Sequence, residues 1–339
     1  MYKQLIRPVL FCFSAETAHH LTINALRVSK YIPFCNSILK RIFFRKNMIN
    51  CMGLTFPNRI GLPAGMDKNA TVPKAFNALG FGFVEIGTVT PKPQTGNPKP
   101  RVFRIKKDNA LINRMGFNND GVEVVAKRLK KYKNRNFILG GNIGKNTLTS
   151  NDNAVEDYRI VLEQLYVLVD YIVLNVSCPN IQNLSELQKS ENLSSIMKMM
   201  INFRNYQSQK KPFVLKISPD LNSKQLSETI DLIKLYKFEG IIVSNTTTKR
   251  EGLSISTDEI TKLGNGGLSG KPMFTNVIAL IKEVRQLAGN SITIMGSGGV
   301  FNKNDAIAMI NAGANLIQIY TGFIYEGVIL PKKLSVLQV

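Results

Sequence analysis

From about residue 50 onward, short apolar runs rich in β-branched residues alternate with longer stretches of helical spacing. Most of the eight runs are continuously apolar, which is typical of strands buried on both faces. The stretches between them are long enough for crossover helices. We therefore predict an α/β fold, a (β/α)8 (TIM) barrel with an N-terminal helical extension, rather than an open doubly wound sheet. The predicted strands are 60–62, 83–89, 137–143, 171–176, 213–217, 240–244, 292–295 and 316–319.

Residues 1–46 have a different pattern and are predicted to form short helices broken at Pro8 and Pro33. Ser14 is a plausible helix cap, with Glu16 in the first turn. The segment carries eight Lys or Arg residues and one acid, Glu16. Apolar faces flanked by cations suit an interfacial membrane helix pair. A helical hairpin packed on the main domain, residues 47–339, explains the same pattern equally well.

One connection, residues 91–119, is rich in Pro, Gly, Asn and Arg. Its apolar runs 101–105 and 110–112 predict a hairpin inserted over the barrel mouth. Long barrel loops of this kind usually carry function.

The composition narrows the function classes only in part. The 44 Lys and Arg against 23 Asp and Glu give a formal charge of +21, compatible with nucleic acid, an anionic membrane, an acidic substrate or simple compositional bias. Four Cys without C-x-x-C spacing and two adjacent His indicate no metal site and a reducing compartment. We expect neither a membrane-spanning helix nor a signal peptide.

Polar residues follow nearly every predicted strand, at the end of a barrel where catalytic residues lie. Each has an ordinary explanation alone: an Asn can form a turn, a Gly pair can permit one, and a strand Lys can snorkel. Together they point to a site. Backbone N–H groups after strands seven and eight suit a phosphate. Amide side chains suit a planar heterocycle with a carboxylate, and Lys216 suits a reduced flavin. FMN is the cofactor that fits.

Long strings of the sequence resemble dihydroorotate dehydrogenases, and most closely the membrane-associated, quinone-using class. They include NCMGLTFPN (50–58), EIGTVTPKPQ (85–94), LINRMGFNN (111–119), NIGKN (142–146) and IQIYTGFIYEG (317–327). The resemblance implies FMN-dependent oxidation of (S)-dihydroorotate to orotate in pyrimidine biosynthesis, with ubiquinone or menaquinone as acceptor. It also implies a peripheral protein on the cytoplasmic side of the cell inner membrane, held there by residues 1–46, and no nucleic-acid partner.

The resemblance also implies site residues. Those for FMN are Ala64, Gly65, Met66, Asp67, Lys68, Thr88, Asn142, Asn175, Lys216, Ser244, Gly270, Gly299, Tyr320 and Thr321. Those for the substrate are Lys68, Asn113, Arg114, Met115, Gly116, Phe117, Asn175, Asn180, Asn245 and Thr246. Those for the quinone are His19, Arg104 and Tyr320.

The sequence departs from the quinone-class pattern at two places. Cys178 stands where the quinone class usually has a Ser base. The soluble class usually has Cys at this position. Alternatively, Cys178 is only a small buried residue at the end of a strand. We expect Cys178 to be the catalytic base, since a thiol loses its proton more readily than a hydroxyl and its deprotonated form is therefore more available. The loop at 181–183 reads Ile-Gln-Asn instead of Thr-Pro-Gly, which predicts altered turnover.

Three rival functions remain open on the sequence. Cys178 favours a soluble dihydroorotate dehydrogenase that uses fumarate or NAD⁺. The charge of +21 suits an FMN barrel acting on tRNA uridine, although no extra RNA-binding domain is visible after strand eight. A basic protein that has kept an inactive barrel would bind no flavin.

Overall fold

In the computed structural model, which describes residues 2–180, 187 and 190–337, eight parallel strands close into a barrel. Each pairs with its neighbour in sequence, and the last pairs with the first, which confirms the predicted fold class. The barrel strands are β3 (Ile60–Asp67), β4 (Phe83–Val89), β7 (Ile138–Ile143), β8 (Tyr171–Asn175), β9 (Phe213–Lys216), β10 (Gly240–Val243), β12 (Thr293–Ser297) and β13 (Leu316–Gln318).

Helices cover the outside of the barrel, and several begin at side-chain caps. The barrel helices are α4 (Pro73–Ala78), α5 (Val122–Leu129), α6 (Ala154–Leu165), α7 (Ser190–Asn205), α8 (Ser223–Leu235), α9 (Thr257–Leu263), α10 (Phe274–Ala288), α11 (Lys303–Asn311), α12 (Thr321–Glu326) and α13 (Ile329–Ser335). Asn222, Ser256 and Asn302 each form a capping box, which satisfies the free N–H groups of the first turn. These caps fix the residue at which each of the three helices begins.

The N-terminal end of the barrel is closed by a hairpin that the sequence analysis did not predict. It consists of β1 (Ile49–Cys51) and β2 (Leu54–Phe56). The ring of Phe56 meets that of Phe83 edge-on, with centroids 5.2 Å apart. A Cβ on Gly61 would lie 2.1 Å from the Phe83 ring, so the packing there requires glycine. The barrel is therefore sealed below, and its site must open at the other end.

The predicted hairpin over the barrel mouth is confirmed as β5 (Val102–Ile105) and β6 (Ala110–Asn113). A third strand, β11 (Gly267–Gly270), pairs antiparallel with β6 and was not predicted as a strand. This small sheet joins the inserted hairpin to the segment that follows β10. The hairpin is therefore held above the carboxyl ends of the barrel strands both by its own connections and by β11.

The N-terminal segment is helical, as predicted: a π-helix (Tyr2–Ile6), α1 (Arg7–Cys12), α2 (Ala15–Val28) and α3 (Cys35–Phe43). Ser14 caps α2 by accepting from the N–H of Thr17, 3.1 Å away. The expected break at Pro8 is wrong, because this proline lies in the first turn of α1, where no N–H is needed. Pro33 does lie in the break before α3. Among the described residues, no helix has the length and apolar character to cross a membrane.

Candidate active site

A cavity of about 620 Å³ lies above the carboxyl ends of the barrel strands. It continues without interruption under the hairpin and between the N-terminal helices, where Tyr2, Leu10 and Leu21 line it. Its wall is mainly apolar at the helical end and polar at the strand ends. One space therefore joins a polar chamber in the barrel mouth to an apolar passage through residues of the first helices.

Buried polar side chains form a hydrogen-bonded layer below the chamber. Asn175 Nδ2 donates to Thr88 Oγ1 at 2.9 Å and to Asn142 Oδ1 at 3.2 Å. Asn142 Nδ2 donates in turn to Glu85 Oε1 at 2.8 Å. Asn142 thus supports Thr88 and Asn175 from beneath and is itself held by Glu85.

Glu85 is a completely buried carboxylate inside the barrel, and its pKa is raised by burial. Its second oxygen accepts from Gln318 Nε2 at 2.8 Å. This contact leaves Gln318 Oε1 buried at the cavity wall without a partner in the described chain. A buried acceptor without a partner is costly, so this oxygen is suited to a donor on a bound ring.

Lys216 ends β9, lines the chamber and is buried. Burial lowers the pKa of its ammonium group, while the nearby Glu85 and Cys178 act in the opposite direction. The ammonium group of Lys216 thus lies at the chamber wall near both of these groups. It is therefore a cation held close to the chamber and available to negative charge that develops there.

Glycine-rich turns form the wall near β12, β13 and the small sheet. Gly270, Gly298 and Gly299 have φ values of 112°, 138° and 76°. A Cβ on Gly299 would lie 2.6 Å from Phe274 Cβ, so this turn needs glycine for both conformation and space. The N–H groups of Gly299 and Val300 have no acceptor among the residues that the structure describes. Exposed N–H groups on a glycine turn can bind a phosphate.

A ring of amides and hydroxyls faces the opposite side of the chamber, next to the hairpin. Asn180 Nδ2 donates to Asn113 Oδ1 at 3.2 Å, and Asn180 Oδ1 is buried without a partner in the described residues. Asn245 Nδ2 donates to Ser177 Oγ at 3.0 Å. Thr246 also lines the cavity. These groups can bind the ring N–H, carbonyl and carboxylate groups of a small heterocycle.

Cys178 and Lys68 are titratable groups that line the same cavity. Burial raises the pKa of the Cys178 thiol to about 11, although Asn180, Lys216 and Lys68 oppose that rise. Burial and the charge of Arg101 lower the pKa of Lys68 to about 7, while Glu16 and Cys178 act against them. The two nearby amines favour the thiolate form of Cys178, so the thiol loses its proton more readily than its burial alone would allow.

The passage at the helical end brings together the three residues predicted for a quinone, His19, Arg104 and Tyr320. Burial lowers the pKa of His19 to about 4, helped by the charge of Lys68, so the imidazole is neutral at pH 7. Arg104 Nε is buried without a partner among the described residues. A neutral imidazole N–H and a free guanidinium N–H are donors for a carbonyl oxygen.

Nearly all the predicted site residues line this one cavity, but three side chains do not. Both carboxylate oxygens of Asp67 accept from backbone N–H groups, of Thr71 at 2.7 Å and Val72 at 2.8 Å, so its side chain stabilises its own turn. Asn142 lies one layer below, as described. Arg114 donates to the carbonyl of Asn265 at 3.0 Å and stacks on Phe103. The protein thus engages all three side chains itself, and their contact with a ligand stays a prediction. The altered loop at 181–183 lies outside the described residues.

Sequence reasoning missed three polar residues that shape the site. Glu85 and Gln318 interrupt apolar strands in the same way as Lys216, and that signal could have found them. Glu16 was noted only as a first-turn acid, yet it is buried and lines the cavity. Its partner is remote in sequence, so no local pattern could have found its role. Across the described residues, no cluster of His, Cys, Asp and Glu could hold a metal ion.

Comparison with known proteins identifies the family of the chain. The sequence profile described as "Dihydroorotate dehydrogenase" matches residues 47–336. A relative from Christiangramia forsetii, named dihydroorotate dehydrogenase (quinone), is 46% identical over 99% of this chain and 98% of its own length. One from Acinetobacter baylyi with the same name is 41% identical over 98% of each. A crystal structure of Eimeria tenella DHODH in complex with ferulenol superposes with a TM-score of 0.85 at 34% identity, covering 94% of this chain and 89% of that one. The chain belongs to the dihydroorotate dehydrogenase family.

Proposed function

We propose that this protein oxidises dihydroorotate to orotate with bound FMN and passes the electrons to a quinone, as a step of pyrimidine biosynthesis. The observation that carries the proposal is the continuous cavity, polar at the strand ends and apolar between the N-terminal helices. Such a space can hold a water-soluble substrate at one end and a lipid-soluble acceptor at the other. We infer from this that residues 47–339 perform the catalysis and residues 1–46 admit the acceptor.

FMN fits the residues present. The family depends on FMN in general, and the chamber offers what that cofactor needs. The turn at Gly299 and Val300 would hold the phosphate, while Thr88, Asn175 and Gln318 would hold the ring. When bound, FMN supplies an acceptor that takes a hydride from the substrate and is reoxidised by the quinone. Lys216 would then balance the negative charge on the reduced ring.

The substrate would lie between the hairpin and the ends of β8 and β10. Asn113, Asn180 and Asn245 would hold its ring, and their mutual hydrogen bonds set the order of donors and acceptors that it meets. Cys178 Sγ would take the proton from the carbon next to a ring carbonyl, while the neighbouring carbon loses a hydride. The two losses create the C=C bond of orotate. Lys68 would balance the charge of the thiolate form of Cys178.

The quinone would enter between α1 and α2. Leu10, Phe11 and Leu21 line this passage and suit an isoprenoid chain. At its inner end His19 and Arg104 would donate to the quinone carbonyls, next to Tyr320. This arrangement gives the acceptor a path to the cofactor that avoids the substrate chamber.

We also infer that the N-terminal helices contact the cytoplasmic face of the cell inner membrane. Tyr31, Phe34 and Ile38 expose 86%, 79% and 56% of their surface around the start of α3. Lys40, Arg41, Arg45 and Lys46 follow directly. Exposed aromatic and aliphatic side chains bordered by cations suit anionic lipid headgroups. A peripheral position would place the passage next to the quinone pool.

Purified protein with its flavin decides between this function and its rivals. Turnover of dihydroorotate is measured with a short-chain ubiquinone, with fumarate and with NAD⁺ at matched concentrations. The proposal predicts orotate formation with the quinone and little with the other two. Turnover with fumarate or NAD⁺ alone would assign the protein to a soluble class, and colourless protein would indicate an inactive barrel.

A further inference from the structure

We propose that the buried ion pair of Glu16 and Arg101 is a positioning link through which helix α2 holds the substrate side of the chamber. The inference rests on the proposed function, since it assumes that Asn113 and Asn180 bind dihydroorotate. The proposal gives helix α2 a role in the first half-reaction, the reduction of the flavin by dihydroorotate. The other site residue of this helix, His19, lies at the quinone end of the cavity.

The pair is the most buried ion pair between the N-terminal helices and the barrel among the described residues. Arg101 Nη2 lies 2.7 Å from Glu16 Oε1, and Arg101 Nε is 3.2 Å from both carboxylate oxygens. The two side chains are 9% and 7% exposed. His20 and Lys99 also lie within 4 Å of the carboxylate but are largely exposed, so they contribute less. A buried, multiply bonded pair fixes both partners in one geometry.

Arg101 also binds the loop that precedes the hairpin. Its Nη1 donates to the carbonyls of Thr95 and Asn97, at 2.7 and 2.8 Å. A guanidinium group is rigid and planar, so its bonds to Glu16 fix the direction of the two N–H groups on Nη1. The backbone at Thr95 and Asn97 is therefore placed from α2.

Asn97 passes the constraint to the substrate side. Its Nδ2 donates to the carbonyls of Arg114 at 2.9 Å and Asn180 at 3.2 Å, and its N–H donates to Met115 at 3.1 Å. The carbonyl it holds at Asn180 belongs to the residue whose side chain bonds to Asn113. Three steps thus lead from the carboxylate of Glu16 to the amides proposed to bind the substrate.

The same pair acts on Lys68 through its charge. Arg101 lowers the pKa of Lys68 and Glu16 raises it, so the two charges act against each other while both are present. Cys178 and His19 are the other titratable groups that interact with this ammonium. Loss of Glu16 would leave the cation of Arg101 uncompensated next to Lys68 and favour its neutral form.

The test compares two ion pairs that both join the N-terminal segment to the barrel. Glu16→Gln removes the charge of the proposed link and keeps its shape. Glu326→Gln removes the Lys3–Glu326 pair, 2.7 Å long, which has no connection to the substrate loop. Orotate affinity of the full-length, flavin-loaded enzyme is measured by titrating the flavin absorbance. We expect Glu16→Gln to raise the orotate Kd about tenfold, or about 1.4 kcal/mol, and Glu326→Gln to leave it unchanged.

A second variant keeps the link testable if Glu16→Gln does not fold. Asn97→Ala leaves the ion pair intact and removes the two side-chain bonds to the substrate side, and it should weaken orotate binding to a similar degree. Wild-type affinity in both Glu16→Gln and Asn97→Ala would overturn the link. Equal weakening by Glu16→Gln and Glu326→Gln would also overturn it, since that result means a general loosening of the helices. Wild-type enzyme that fails to bind orotate would contradict the proposed function itself.

Discussion

The guanidinium carbon of Arg104 lies 4.4 Å from the centre of the Phe11 ring, so a residue of the hairpin over the barrel mouth stacks on a helix of the N-terminal segment. Arg104 Nη1 also donates to the carbonyl of Phe13 at 2.7 Å. These contacts hold the guanidinium in place while its Nε stays without a partner among the described residues. The arginine is thus positioned by the protein and free to bind a ligand in the passage.

Arg104→Ala should therefore impair the second half-reaction and spare the first. We expect the KM for a short-chain quinone to rise about tenfold, since a hydrogen bond from a charged donor is worth about 1.5–3 kcal/mol. Flavin reduction by dihydroorotate should change less than the quinone KM. Steady-state kinetics and stopped-flow reduction separate the two effects. Arg159→Ala, at an exposed ion pair far from the cavity, is the matched control. Equal loss in both half-reactions would remove Arg104 from the quinone site.

Substitution of Cys178 tests the proposed base. Cys178→Ala should slow flavin reduction by about 100-fold or more, in line with the loss of a general base, and Cys178→Ser should retain part of the rate. Stopped-flow reduction under anaerobic conditions measures this step directly. Cys35→Ala removes a thiol at the start of α3 and should have no effect. An unimpaired Cys178→Ala enzyme would exclude this residue from the mechanism.

The pH dependence of the same step gives an independent check on Cys178. Burial raises the pKa of the thiol to about 11, so the reactive thiolate is a minor form at pH 7. Because the base must be deprotonated, the rate should rise with pH, by about tenfold per unit well below the pKa. The rise should continue beyond pH 9 in the wild type. A plateau near pH 7 would show that a different group acts as the base.

Gly299→Ala tests the proposed phosphate turn. The added methyl group would lie 2.6 Å from Phe274 Cβ at a φ of 76°, so the turn must shift. We expect the variant to lose most of its bound flavin while keeping its circular dichroism spectrum. Gly289→Ala has a similar φ of 67° with no atom within 4 Å, and it should keep its flavin. Full flavin occupancy in Gly299→Ala would place the phosphate elsewhere.

The exposed apolar surface before α3 should bind lipid. Tyr31→Ser combined with Phe34→Ser is expected to weaken binding to anionic vesicles by more than about tenfold, since each buried aromatic ring contributes about 1.5–3 kcal/mol. Tyr206→Ser, at a 90% exposed tyrosine on the barrel, is the control. Vesicle sedimentation measures both. Unchanged binding by the double variant would show that the membrane contact lies elsewhere.

The pattern of the chain predicted the barrel well because its strands are buried on both faces and read as apolar runs. It missed β1, β2 and β11, which are three or four residues long and too short to give a period. It also placed a helix break at Pro8, where the proline in fact lies in a first turn. Local sequence does not show whether a proline ends a helix or begins one.

The sequence predicted residues that line the cavity better than residues whose side chains bond to other parts of the protein. The resemblance implies Asp67 and Arg114 as site residues, yet the structure uses both side chains to hold loops. Glu85 and the Glu16–Arg101 pair depend on partners 57 and 85 residues away, which no local pattern reveals. Motifs identified most of the residues that line the cavity, whereas the residues that support them required the folded chain.

The central claim is that dihydroorotate and a quinone meet the same flavin from two ends of one cavity. Anaerobic double-mixing stopped-flow tests it most directly: dihydroorotate is mixed with the flavin-loaded enzyme first, and a short-chain quinone second. The account predicts that the first mix bleaches the flavin absorbance and that the second restores it within turnover time, whereas fumarate or NAD⁺ does not. Flavin that dihydroorotate fails to bleach, or that only fumarate or NAD⁺ reoxidises, would contradict the account.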